Sequence, residues 1–216
     1  MRIGIIGSGH IGATLAQLFA GVGHEVAISN SRGPASLEDR VRAWGPGVRA
    51  ATAEDAAAFG EVVVEAIPFG RYRELPAAQL AGKIVVTAAN YYAERDGPID
   101  LGGRAHSELI AAHLPGARVV KAFNTIWYRH LQEQGDPSKP MEERRVIFLS
   151  GDDAAAKQVV AELIAQIGFA PLDIGSLRES VRQEPGSPIY NRTLTLAEAR
   201  AILAQQEQRG APRHEG

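Results

Sequence analysis

Along the chain, short apolar runs alternate with stretches in which apolar residues recur every three or four positions. The runs predict buried strands over residues 1–6, 24–28, 48–51, 61–67, 83–87 and 118–122, the fourth stopped by Pro68. The recurring stretches predict helices between them. Ile11, Leu15, Leu18, Phe19 and Val22 fall on one face of the first, which Gly21 and Gly23 close. Further helices are expected over residues 36–44, 70–80 and 105–114, and a brief one ending at Phe59 that Thr52 and Asp55 cap as a pair. A polar loop spans 90–103. Six strands with helical crossovers call for an α/β fold, a doubly wound parallel sheet covered on both faces. After a loop rich in Gly, Pro and charge (132–143), residues 145–150 read as a strand. Asp152 and Asp153 cap a helix over 154–167 with Gly168 as its stop, and 169–174 returns to the sheet. Pro185, Gly186 and Pro188 then break the pattern before a last helix over 195–208, and the tail after Gly210 is expected to be disordered. The boundaries that follow are 1–175 for the layered domain and 176–216 for a small helical or irregular C-terminal segment.

The first strand opens into Gly7-Ser8-Gly9-His10-Ile11-Gly12, a GxGxxG turn followed by a helix. In a strand–turn–helix context each glycine has a purpose. Gly7 allows the tight turn, Gly9 lets backbone approach a pyrophosphate, and Gly12 lets helix and strand pack closely. Unpaired N–H groups at the helix start then face the phosphates. These features make 1–175 a Rossmann-type dinucleotide-binding domain. About 20 residues past the glycines, NAD-preferring folds place a carboxylate on the ribose 2′-hydroxyl. Here the second strand ends in Ser29-Asn30-Ser31-Arg32-Gly33-Pro34, with no carboxylate to repel a 2′-phosphate. Arg32 offers a planar fork of donors, with Ser31 and Ser8 as further partners. NADP(H) is the expected cofactor.

Composition narrows the classes. The 216 residues carry a formal net charge of −2 and no basic stretch, which argues against nucleic-acid partners. The absence of cysteine removes disulfides, thiolate metal sites and cysteine nucleophiles. No apolar run approaches the ~20 residues of a membrane span, and a core strand at the start leaves no room for a signal peptide. A cytoplasmic protein with no membrane partner and a small-molecule redox partner is expected.

Ligands of such sheets lie beyond the carboxyl ends of the strands. Ile67-Pro68-Phe69, Ala88-Ala89-Asn90-Tyr91-Tyr92 and Phe123-Asn124-Thr125-Ile126-Trp127-Tyr128 end three of them. Ile67 and Pro68 offer an apolar border for a nicotinamide, Asn90 and Asn124 polar contacts, and the aromatics a flat wall or core packing. The six histidines show no metal-binding pattern. Lys121 lies inside a strand pattern, which argues for a structural contact. Neither a Ser-His-Asp set nor a Tyr-x-x-x-Lys pair is evident, so no catalytic side chain is assigned. Hydride transfer between two ring cofactors needs little acid–base help.

The glycine loop, Ser31-Arg32, Ile67-Pro68 before an aromatic, and Val119-Val120-Lys121-Ala122-Phe123-Asn124-Thr125-Ile126 together resemble the coenzyme F(420)-dependent NADP oxidoreductases. The likeness runs from Met1 to about Ser180. It is strongest in Gly151-Asp152-Asp153 with its helix and in Pro171-Leu172-Asp173-Ile174-Gly175-Ser176-Leu177. The resemblance implies hydride exchange between NADP(H) and an 8-hydroxy-5-deazaflavin, directly and without a catalytic side chain, in a homodimer. It also implies that Ser8, Ser31 and Arg32 hold the 2′-phosphate, residues 9–12 the pyrophosphate, and Ile67 and Pro68 the nicotinamide side. The segment 182–192 departs from the family, being polar and proline-broken where deazaflavin users tend to be apolar, which puts the second pocket in question. Rival readings are an NADPH-dependent reductase of a flavin, quinone-like, imine or carbonyl substrate, and a non-catalytic NADP(H)-binding redox sensor.

Overall fold

The computed structural model describes residues 1–210. The tail after Gly210, expected to be disordered, and His214 lie outside them.

One eight-stranded sheet carries the fold. β1 (Arg2–Ile6), β2 (Glu25–Ser29), β3 (Val48–Ala51), β4 (Val62–Glu65), β5 (Ile84–Thr87) and β6 (Arg118–Ala122) run parallel in the order β3-β2-β1-β4-β5-β6. The order reverses between β1 and β4, which opens a crevice at their carboxyl ends. Period-two alternation sorts the strand side chains. Val62, Val64, Ile84, Val86 and Val120 face a core with Leu15 and Phe19 of α1 (His10–Gly21) and Val160 and Leu163 of α8 (Ala154–Gln166). Val63, Val85 and Val119 face the opposite core, with Phe69, Leu80, and Leu109 and Ile110 of α6 (His106–His113). Central strands buried on both faces explain why their sequences are apolar throughout.

Several elements differ from the sequence expectation. The sheet is not wholly parallel, because β7 (Val146–Gly151) pairs antiparallel with β6, and β8 (Ala170–Asp173) runs parallel to β7. Between β6 and β7 lies α7 (Tyr128–Glu133), unexpected from the pattern. Its six residues reach about 9 Å, and no described helix in the 123–145 connection returns the chain across the sheet. The 13-residue α8, about 20 Å long, does make that return. The helix expected over 70–80 is a 3₁₀ turn at Phe69–Glu74 and a short α4 (Ala77–Leu80), parted by Pro76, which cannot donate in a helix interior. The loop 90–103 holds one helical turn, α5 (Ala93–Asp96). Val22 is 43% exposed, since it caps α1 just before Gly23 turns the chain at φ 88°. Asp153 alone caps α8, accepting from the Ala156 N–H at 2.8 Å. Asp152 instead accepts from the Leu177 N–H at 2.9 Å and ties down the C-terminal segment.

Thr52 caps α3 (Ala53–Phe59) as its spacing indicates, accepting from the Asp55 N–H at 3.0 Å. The helix 36–44 is a 3₁₀ turn at Pro34–Leu37 running into α2 (Glu38–Trp44). The segment after β8 begins beside Gly151, whose N–H donates to Gly175 O at 2.9 Å. It runs as a strap along the sheet through a 3₁₀ turn at Arg178–Gln183 to the crevice, where the Asn191 N–H donates to Thr125 O at 3.1 Å. The chain then leaves in α9 (Leu196–Gly210), whose Ala199 and Leu203 pack with Val146, Phe148 and Ile174.

Gly12 fixes how closely α1 approaches the β1 turn. A Cβ there would lie 2.0 Å from the Gly7 carbonyl oxygen and 3.3 Å from Ala66 Cβ. Gly12→Ala is expected to cost about 1–3 kcal/mol in urea denaturation, since overpacking shifts backbone. An unchanged midpoint would show that α1 slides to make room.

Candidate active site

A cavity of about 470 Å³ fills the crevice beyond the carboxyl ends of β1, β4, β5 and β6. Gly9, His10 and Ile11 form one side, and Ile67, Pro68, Asn90 and Asn124 line it further in. Seven of the residues singled out from sequence therefore meet around one space. Gly7, at φ 111°, and Gly12 lie behind them and shape the loop. Gly9 differs from both, because a Cβ built there meets no atom within 4 Å. No side chain caps α1 at Gly9. The first-turn N–H groups thus face space that a pyrophosphate fits.

Asn30, Ser31 and Arg32 stand apart from the cavity, in the turn after β2. The Asn30 side chain works within that turn: its Oδ1 accepts from the Arg32 N–H at 2.9 Å and its Nδ2 donates to Ser36 Oγ at 2.9 Å. This Asx-type turn leaves Ser31 and Arg32 exposed. Arg40, which sequence reasoning passed over, reaches back from α2 to donate from Nη1 to Ser8 O at 3.2 Å, with its guanidinium 4.9 Å from the Trp44 ring. No local pattern marked it, since its contact with Ser8 depends on α2 folding back against the glycine loop. Arg40 thus meets the glycine loop at Ser8, while Ser31 and Arg32 stand exposed in the turn after β2.

Phe69 turns away into the core, tilted against Tyr72, Tyr91 and His106, so it is packing and not a cavity wall. Trp127 and Tyr128 do line the cavity. Trp127 is 46% exposed, while Tyr128 stacks on His10 at 4.1 Å between ring centroids. The chain enters this loop through Phe123 at φ 64°, a left-handed conformation that is costly for a bulky residue. Tyr92, Arg95, Tyr190 and Asn191 complete the wall. Two of these come from the strap, about 100 residues from the loop they face, and no local pattern could have joined them.

Beneath the floor, strand register aligns Glu65, Thr87, Lys121 and Ser150 in one row across β4 to β7, all fully buried. Thr87 Oγ1 donates to Glu65 Oε2 at 2.7 Å, and the Ile67 N–H donates to Oε1 at 3.1 Å. Lys121 Nζ donates to Ala89 O at 3.0 Å, the structural contact expected of it. Burial pushes the Glu65 carboxyl up to about 7, against the pull of Thr87, the Ile67 N–H and the Lys121 charge. Burial likewise pulls Lys121 down to about 8, opposed by Glu184 and Glu65. Because its folded value lies above its ordinary 4.5, Glu65 binds more proton in the native state between pH 4.5 and 7. Its contribution to stability is full below 4.5 and is lost as pH rises through 7. Glu65→Gln keeps an acceptor for the Ile67 N–H and removes that loss. The stability of the wild type relative to the variant is expected to fall between pH 5 and 7.5 in urea titrations. A constant difference would place the Glu65 carboxyl in its ordinary range.

Residues 2–91 match the family model described as NADP oxidoreductase coenzyme F420-dependent. A hypothetical protein from Sinorhizobium meliloti is 38% identical, with a TM-score of 0.79 over 90% of this chain and 95% of that one. A structure from Arthrobacter sp. FB24 described as an f420 dependent nadp-reductase is 29% identical, with a TM-score of 0.69 over 90% of this chain and 99% of that one. Metalloreductase STEAP3 of Rattus norvegicus is 33% identical over 195 residues, 87% of this chain but 36% of that protein. The chain thus spans little more than a third of the length of the curated metalloreductases it matches. No described helix is long and apolar enough to cross a membrane. Residues 2–91 thus match the family model of coenzyme F420-dependent NADP oxidoreductases, and nine-tenths of the chain is similar to the Arthrobacter structure.

Proposed function

We propose that the protein transfers a hydride between NADP(H) and a planar ring acceptor, a deazaflavin of the coenzyme F(420) type. The observation that carries this reading is the continuity of the cavity. It runs from Gly9 and Ile11 past Ile67 and Pro68 to an aromatic wall of Trp127 and Tyr128, leaving one space for two flat partners. Bound there, NADP(H) supplies or takes up the hydride. The loop N–H groups hold the pyrophosphate, and Ser8, Ser31, Arg32 and Arg40 the 2′-phosphate. Ile67 and Pro68 keep water from the nicotinamide side. Holding the two reacting carbons about 3–3.5 Å apart in a dry site supplies most of what such a transfer needs. The polar strap does not remove the second pocket in this reading. It builds one wall of it through Tyr190 and Asn191.

Arg32→Ala is expected to weaken NADPH binding about 10- to 100-fold while leaving NADH nearly unchanged, because a charged hydrogen bond contributes about 1.5–3 kcal/mol. Equal losses for the two cofactors, measured by nicotinamide fluorescence, would remove Arg32 from phosphate recognition. Anaerobic stopped-flow with NADPH is expected to show rapid, saturable oxidation on adding an 8-hydroxy-5-deazaflavin, faster than with FMN or FAD. Oxidation with a flavin alone would reassign the acceptor. Tight NADPH binding with no turnover would favour a redox sensor.

A further inference from the structure

Three side-chain amides join the strap to the cavity, and each has its orientation fixed by a main-chain carbonyl that can only accept. Gln183 Nε2 donates to Lys121 O at 3.4 Å, Asn124 Nδ2 to Gln183 O at 2.7 Å, and Asn90 Nδ2 to Asn124 O at 2.9 Å. With the NH₂ groups so placed, the remaining bonds run in one direction. Ser150 Oγ donates to Gln183 Oε1 at 3.3 Å, Gln183 Nε2 to Asn124 Oδ1 at 2.7 Å, and Asn124 Nδ2 to Asn90 Oδ1 at 3.0 Å. Asn90 Nδ2 finally donates to Tyr190 Oη at 3.3 Å. In this side-chain series, from Ser150 through Gln183, Asn124 and Asn90 to Tyr190, each donor precedes its acceptor.

Tyr190 Oη lies 2.5 Å from Tyr92 Oη, and both residues line the cavity. The pair has two hydroxyl protons and one bond between them. Whichever oxygen donates in that bond, one O–H is left over, and the Asn191 side chain beside Tyr190 acts on its hydroxyl as a donor, as Asn90 does. Asn90 holds the Tyr190 oxygen as an acceptor and cannot take up the spare proton through its NH₂. Chain and pair together therefore present a single O–H donor to whatever occupies the space beyond the nicotinamide border.

We infer that the Tyr92–Tyr190 pair donates this proton to a heteroatom of the second substrate, which is therefore a conjugated carbonyl or C=N compound. The inference rests on the reading under Proposed function and adds a donor to it. The hydride arrives with its electron pair at the electrophilic carbon, and the π pair of the conjugated bond moves onto the oxygen or nitrogen. That atom takes the phenolic proton, and water restores the proton to the pair. Burial, then the hydrogen bond to Tyr92, push the Tyr190 phenol above its ordinary range, so Tyr190 rests protonated and is a weaker acid than a free phenol.

The test uses Tyr92→Phe, Tyr190→Phe and the double variant, with 8-hydroxy-5-deazaflavin and FMN as probes. Each single variant keeps one hydroxyl able to reach the substrate, so its hydride-transfer rate is expected to fall between those of wild type and the double variant. The double variant is expected to slow transfer about 10- to 100-fold while weakening acceptor binding to the cofactor-free protein, read by ligand fluorescence, only about 3- to 10-fold. A donor matters more once charge has developed than in the ground state. Unchanged melting temperature and NADPH affinity would certify the fold. A double variant as fast as wild type, or single variants as slow as the double, would overturn the inference and leave the proposed hydride transfer standing. Wild type is also expected to show a normal solvent deuterium isotope effect on the transfer step. Its absence would overturn the inference without depending on any variant's folding. Failure of wild type to oxidise NADPH with either probe would instead sink the proposed function, and the inference with it.

Discussion

A row of buried polar side chains at one level of the sheet constrains everything above it. Glu65, Thr87, Lys121 and Ser150 are brought side by side by strand register and are sealed from water. Polar groups so placed must find partners, because an unpaired one costs about 1–3 kcal/mol and a charge considerably more. Their partners are the elements that form the cavity. Glu65 holds the turn at Ile67, Lys121 holds Ala89 at the end of β5, and Ser150 holds Gln183 of the strap. The satisfaction of the row and the shape of the site are one set of contacts.

The antiparallel seventh strand determines how the strap can take part. Because β7 and β8 run opposite to the first six strands, β8 ends at the far edge of the sheet, and the chain must travel back along its face to reach the crevice. That return is fastened at intervals. Leu177 is tied to Asp152, the Ser180 and Ser107 hydroxyls meet at 2.6 Å, and Glu184 Oε1 accepts from the His106 N–H at 2.7 Å. The polar character of 182–192, at odds with an apolar second pocket, follows from these contacts. Gln183 and Glu184 serve the buried network, and Tyr190 and Asn191 reach the cavity.

The two halves of the site rest on different physics. The nucleotide half is mostly backbone: a glycine turn, an uncapped helix start and exposed arginines. The far half is side chains drawn from four segments and held by hydrogen bonds between residues far apart in sequence. The first kind of site is shared by a wide range of dinucleotide enzymes. The second is where members of one family can diverge in what they reduce.

Legibility in the sequence follows the same division. Strands β1 to β6, the α3 cap at Thr52, the glycine loop and the absence of a carboxylate after β2 were all readable, because each depends on residues within a few positions of one another. Asn90 and Asn124 were also legible as strand-end residues, although not as neighbours. The two-part helix at 69–80 was obscured by a periodicity that Pro76 interrupts, and Phe69 looked like a cavity residue until the core claimed its ring. Arg40, Tyr92 and Tyr190 were silent, since their roles come from where the chain folds back. The sequence by itself determined the first six strands and the glycine turn, and pointed to a phosphate-bearing cofactor, through local hydrogen bonding and side-chain period. Only the tertiary structure decided the direction of β7, the path of the strap and the tyrosine pair, because these depend on partners that sequence distance hides.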